Sequence, residues 1–241
     1  MSIYEKLDTS KGLIFVYSDP GLKVKEEDYN DWYDNEHIPS RLNVPGILSS
    51  ARYRAVDSQS PSWLALYDIT SPDVAQSAAY KGLGPIASNR EKQIMADLGS
   101  INRRVYEHVM SLSHPTTGIS SLPGQYIFAV HMKVTLEGEE EFNRWYNEEH
   151  ILFLSKIPGW LCGRRYKLVE SVSRGVKIEP AEDEMPSVDY LAIHELENYD
   201  FMQRPAFNAA FQTPWRERVL KSVMHSELRL FERHRVFRTL Y

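Results

Sequence analysis

Two histidines, His37 and His150, each follow a glutamate directly and stand four residues after a tyrosine, in the phrases WYDNEHI (32 to 38) and WYNEEHI (145 to 151). An imidazole titrates near neutrality, and a neighbouring carboxylate or phenol can orient it or share its proton. That is the equipment of general acid–base catalysis. On an α-helix Tyr29, Trp32, Tyr33, Glu36 and His37 fall on one continuous face, and Phe142, Trp145, Tyr146, Glu149 and His150 repeat it. Such an aromatic stripe packs on a sheet. The Glu-His pair that ends it is costly to bury uncompensated, so the spacing places it where a pocket opens.

Around this pair the sequence suggests further members. Trp32, Glu36 and Arg52, with Trp145, Glu149 and Arg165 in the second copy, are the candidate substrate-binding residues, the glutamates being also the expected partners of those arginines or of nearby backbone amides. His131 stands where the first copy has Ser18, and His194 where it has Tyr67. If those strand faces coincide, His131, His150 and His194 converge in one pocket of the second half, with Ser18, Tyr67 and His37 as the milder set in the first. In this reading His150 is the acid or base, His37 its counterpart, and Tyr146 and Tyr33 hold a carbonyl or phenolic oxygen. No glycine-rich phosphate cradle, nucleophile elbow, His-x-x-x-His or Cys-x-x-Cys is present, so neither a metal nor a cofactor is expected.

The elements that must position these residues come in two copies. At an offset of 113, residues 29 to 53 lie over 142 to 166 with 11 identities in 25 positions, including Pro45-Gly46 over Pro158-Gly159 and Arg52-Tyr53 over Arg165-Tyr166. Strand-like runs flank the phrase at 12 to 18 and 125 to 131, at 63 to 69 and 190 to 196, and at 101 to 109 and 227 to 237. Helix-like segments, 71 to 80 and 198 to 207, follow the second of these runs in each copy. The offset grows to 127 by the third strand, so the second copy carries a 14-residue insertion in its acidic 171 to 187 loop, expected to lid the second pocket only. Each half thus reads β-α-β-β-α-β, an α+β ferredoxin-like unit. The expected division is 1 to 112, a linker at 113 to 124, and 125 to 241.

The element order and the phrase aromatic-Tyr-x-x-Glu-His-Ile, followed by Pro-Gly and Arg-Tyr, resemble the EthD-type branch of the dimeric α/β-barrel superfamily. That resemblance implies two tandem ferredoxin-like units joined as an intrachain pseudo-dimer, with a small-molecule pocket between sheet and helices. Its members include cofactor-free cyclases, decarboxylases and isomerases, quinone-forming monooxygenases, haem enzymes and proteins with no assigned activity. The expectation is a cofactor-independent lyase, isomerase or cyclase acting on a hydrophobic aromatic or polyketide-like molecule. A monooxygenase, cofactor-free or haem-dependent, and a non-catalytic small-molecule binder are the alternatives; haem would need an axial histidine that the sequence does not nominate.

Bulk properties bound the partners. A net charge of −5 offers no basic field for a nucleic acid, and a single cysteine, Cys162, excludes an internal disulfide or a multi-cysteine metal centre. No stretch approaches the roughly 20 apolar residues of a membrane span, and no secretory leader is evident, so a cytoplasmic protein is expected. A homodimer of the two-repeat chain is compatible with such a scaffold.

Overall fold

The computed structural model describes residues 10–118, 122–174 and 187–238. The chain divides into two compact units: 1–107 with 169–179 and 234–241, and 108–168 with 180–233. Neither unit is one continuous stretch, because three long strands divide between them, whereas the expected division was sequential.

In the first unit β1 (Gly12–Asp19) leads to a helix α1 (Glu26–Trp32), a π-helical turn (Tyr33–His37) and a short α2 (Ile38–Leu42). Then come β2 (Ile47–Ala55), β3 (Trp63–Ile69), short helices α3 (Ala78–Lys81) and α4 (Leu83–Ile86), α5 (Asn89–Asp97), and β4 (Ser100–Ser113). The strands are antiparallel, with β1 between β4 and β3 and with β2 beyond β3. The second unit repeats this with β5 (Tyr126–Thr135), α6 (Glu139–Trp145), a π turn (Tyr146–His150), α7 (Ile151–Leu154), β6 (Trp160–Arg174) and β7 (Ser187–Leu196). It closes with α8 (Pro205–Ala210), α9 (Pro214–Val219) and β8 (Val223–Arg238), and β5 again sits between β8 and β7, with β6 outside. The fold is α+β with the expected β-α-β-β-α-β order in each unit. Among the described residues three helices were not anticipated: α4, α5 and α9.

Strand alternation sends one face of each sheet to the helices. Ile14, Val16, Trp63, Ala65 and Tyr67 meet Tyr29, Trp32 and Tyr33 in one core, and Phe128, Val130, Met132 and Val134 meet Phe142, Trp145 and Tyr146 in the other. The repeated Pro-Gly is explained by backbone geometry. Gly46 and Gly159 take φ of +94° and +90°, the glycine-favouring region that follows a proline in a type II turn. Among the described residues no helix is long and apolar enough to cross a membrane.

Candidate functional site

The site is set by an irregularity in the helix. At Ile38 the backbone N–H reaches back five residues to the Tyr33 carbonyl, and at Ile151 to that of Tyr146, so each phrase contains one π turn. The extra residue rotates the rest of the phrase. Tyr29, Trp32, Tyr33 and His37 stay buried, as the α-helical spacing predicts, but Glu36 swings to a half-exposed position and Asp34 turns inward.

The arginine pairing expected from the sequence is therefore corrected. Arg52 pairs with Asp34 through Nη1 and donates to Asn30 Oδ1 at 2.7 Å through Nη2, while its guanidinium lies 4.5 Å over both Tyr33 and Trp63. In the second unit Arg165 donates to Asn147 and to Asn143 (2.8 Å) instead, with Tyr146 4.3 Å beneath it. Lacking a carboxylate, its buried guanidinium is pushed down to about 10. Glu36 and Glu149 have a different role: they accept from Ser88 and Thr213, the N-cap residues of α5 and α9. Each cap also receives a backbone N–H three residues on, from Glu91 (3.0 Å) and Arg216 (3.1 Å). Ser88 and Glu91 thus correspond to Thr213 and Arg216.

That correspondence separates the two histidines. His37 is 5% exposed, packs on Trp32 (4.5 Å between ring centres), and its Nδ1 lies 3.1 Å from Glu91 Oε1, which also receives Arg41 at 3.2 Å. Burial would raise the Glu91 carboxyl, but the contacts with His37 and Arg41 outweigh it and bring it down to about 2. Burial and the Arg41 charge push the imidazole down to about 3 against the pull of Glu91. His37 is therefore neutral at physiological pH. A carboxylate only accepts, so Nδ1 carries the proton and Nε2 is the basic lone pair. His37 lines a cavity of about 140 Å³ together with Val16, Arg41, Tyr67, Tyr80 and Arg103, among others. The hydroxyls of Tyr33 and Tyr67 are buried against one another and share a hydrogen bond, and burial raises both phenols.

His150 has no such partner. It stacks on Trp145 at 4.5 Å, meets Phe211 edge-on, and its Nδ1 has no hydrogen bond. Where Glu91 would stand, Arg216 is found. Burial, with the neighbouring His194 ring and the Arg216 charge behind it, pushes the imidazole to about 3.

The three-histidine convergence is not formed. His194, wholly buried, faces the helices beside Phe128: it receives the Trp160 indole N–H on Nδ1 (3.1 Å) and through Nε2 meets the Tyr146 hydroxyl (3.0 Å). Burial holds it near 3, so it is a neutral packing residue. His131 pairs across from Leu191 on the opposite face, with Glu227 4.0 Å from its Nε2. Strand parity decides this, because His131 is odd-numbered on β5 where the helix-facing positions are even. Ser18 likewise bonds the Tyr29 hydroxyl at 2.7 Å rather than a pocket. The 171 to 187 loop lies largely outside the described residues; its described start, Val172 and Arg174, lines the cavity at His37 in the first unit rather than a second-unit pocket. Among the described residues no cluster of His, Cys, Asp or Glu could hold a metal ion.

Glu91, Arg41 and Arg103 are the site residues that sequence reasoning missed. A carboxylate three residues after a serine, the capping signature, was the available signal for Glu91.

No family model matches this chain, and neither does any curated protein. Solved structures share its fold. One is an anthrone oxidase-like protein, at 15% identity and a TM-score of 0.64, covering 97% of this chain and 95% of that one. Another is a candidate monooxygenase from Lactobacillus acidophilus, at 10% identity and 0.53, covering 95% and 96%. A mutant chlorite dismutase from Candidatus Nitrospira defluvii, in complex with cyanide, aligns at 14% identity and 0.51, covering 98% and 96%.

Proposed function

We propose that the chain is an enzyme that removes a proton from a weakly acidic position of a hydrophobic, aromatic or polyketide-like molecule, with His37 as general base. The observation that carries this reading is the His37–Glu91 pair beside a cavity in one unit, set against His150–Arg216 in the other. Glu91 holds Nδ1–H, so Nε2 takes the substrate proton and the imidazolium that forms is stabilised by the carboxylate. The Tyr67 hydroxyl, in the cavity wall beside that of Tyr33, supplies a donor for the developing enolate or phenolate oxygen. In this assignment Tyr67 takes the oxygen-holding role expected of Tyr33 and Tyr146. His150, His194 and Tyr146 serve packing.

From that anion, reprotonation elsewhere gives an isomerase, attack on an internal carbonyl a cyclase, and carbon–carbon cleavage a lyase. A second reading, favoured by the anthrone oxidase-like and monooxygenase neighbours, is that the same anion reacts with dioxygen. Haem chemistry fits these residues poorly. The cavity at His37 is about 140 Å³, far below a tetrapyrrole. We also infer that the chain is a tandem pair of ferredoxin-like units of the EthD type, a reading supported by the shared element order and the repeated phrase.

Size narrows the substrate. A cavity of about 150 Å³ takes one benzene ring. An adjoining groove of about 280 Å³ shares Arg41, Tyr80 and Arg103 with the 140 Å³ cavity, so one ring enters and the remainder lies in the groove. The test uses anthrone, whose C10 methylene is acidic. Incubated without oxygen in D₂O, it should gain deuterium at C10 faster with the protein than without, read by mass spectrometry. Admitting oxygen then separates the readings: uptake with anthraquinone formation marks a monooxygenase, and exchange without uptake marks the lyase, isomerase or cyclase class. No acceleration with anthrone or with 1-phenylbutane-1,3-dione contradicts the proposal.

A further inference from the structure

The cavity at His37 has an electrostatic character that proton abstraction alone does not require. Among the described residues that line it, Arg41, Arg103 and Arg174 are cationic and none is a carboxylate, while Val16, Met95, Ile101 and Val172 make an apolar wall with Tyr67 and Tyr80. This concentration occurs in a chain whose net charge is −5. The three arginines are not equally engaged. Arg41 is spent on Glu91, Ser40 and the His37 carbonyl. Arg103 stands on the wall shared by cavity and groove, and only its Nη2 is paired, with Glu170; its Nη1 is buried without a hydrogen bond. A buried N–H left unpaired is costly, and an arginine fork suits a carboxylate, so a ligand that supplies one relieves that cost.

We infer that the molecule this site accepts is an aromatic or polyketide-like acid, whose carboxylate lies on Arg103 at the junction of cavity and groove while its ring enters beside His37. Arg174 adds charge from the cavity wall and Lys81 from the groove, where Glu170 already holds Nη2 of Arg103 and leaves Nη1 for the ligand. The inference rests on the reading of His37 as the working base and adds the chemical class of the substrate. An anion placed there offsets the surrounding guanidinium charge and so favours the His37 imidazolium, alongside Glu91, which lies between His37 and Arg41.

The test is a binding comparison on the full chain. Tryptophan-fluorescence titration at pH 7.5 compares 2,4-dihydroxybenzoate with 2,4-dihydroxybenzamide, which matches it in shape and lacks the charge. The wild type should bind the benzoate at least tenfold more tightly, with the preference shrinking as salt is raised. Arg103→Gln should bring the two ligands to parity, and Arg174→Gln should lower the preference several-fold. His37→Ala should keep the preference while losing proton exchange, which distinguishes failure of this inference from failure of the catalytic reading. Equal binding by the wild type overturns the inference, as does a preference unchanged in Arg174→Gln and in a folded Arg103→Gln; circular dichroism establishes folding, and an unfolded Arg103→Gln leaves Arg174→Gln and the salt dependence to decide.

Discussion

His37 differs from an ordinary histidine in being neutral over the whole physiological range while one nitrogen is held by a carboxylate. Its basic form does not titrate near pH 6.5, so exchange of a C–H acid should be flat from about pH 6 to 9 and fall only in stronger acid. A rate measured across that range checks it, and a sigmoid centred near 6.5 would mean a solvated imidazole. Glu91→Gln keeps the shape but removes the charge that stabilises the imidazolium, and exchange should drop at least about tenfold. Acid also bears on stability. His37, His150 and His194 sit near 3 in the folded state against an ordinary 6.5. Between those values the unfolded chain binds more protons, so the contribution of each is intact above about pH 6.5 and lost as pH falls. Linkage puts the loss at about 2 kcal/mol apiece by pH 5. Glu91, depressed to about 2, acts in the same direction, its stabilisation present above its ordinary 4.5 and lost on acidification towards 2. Urea midpoints should therefore fall steeply from pH 7.5 to 5.

The π turns and the capped helices α5 and α9 assemble the site. The aromatic stripe was legible, because 3.6-residue spacing persists through Tyr29, Trp32 and Tyr33. The fate of Glu36 was not, since one extra residue in the turn carries Glu36 off the buried face and Asp34 onto it and leaves no mark in a periodic pattern. Nor was α5: its segment, Asn89–Asp97, has only Ile94 fully buried among its apolar residues, too weak a stripe to read. The residue that orients His37 therefore came from an unread helix, brought there by Glu36 through Ser88. Ser88→Ala should loosen that helix, costing about 1 kcal/mol of stability and slowing exchange more than folding loss explains. At the Pro-Gly turn, which was legible, a Cβ on Gly46 would fall 2.5 Å from Val74 Cγ2 and occupy a φ of +94°. Gly46→Ala should cost about 1–3 kcal/mol, seen as a lower melting temperature.

Across the whole chain, duplication was the feature most open to reading, and it led to the fold. It also misled. Extra histidines in the second half pointed there, yet His131 and His194 lie on opposite sheet faces and Arg216 occupies the position of Glu91. Only a structure aligns Glu91 with Arg216, because the insertion and the shifted offset hide the match in sequence. If this exchange of charge silenced the second unit, Arg216→Glu should raise the His150 imidazole by about a unit or more, an opposite charge favouring the protonated form, as read by NMR titration. The most direct test of the account is deuterium incorporation into anthrone under anaerobic conditions by two variants, His37→Ala and His150→Ala. The account predicts that the first falls at least about a hundredfold while the second stays within a few-fold of wild type. Exchange surviving in folded His37→Ala, or lost in folded His150→Ala, would contradict it.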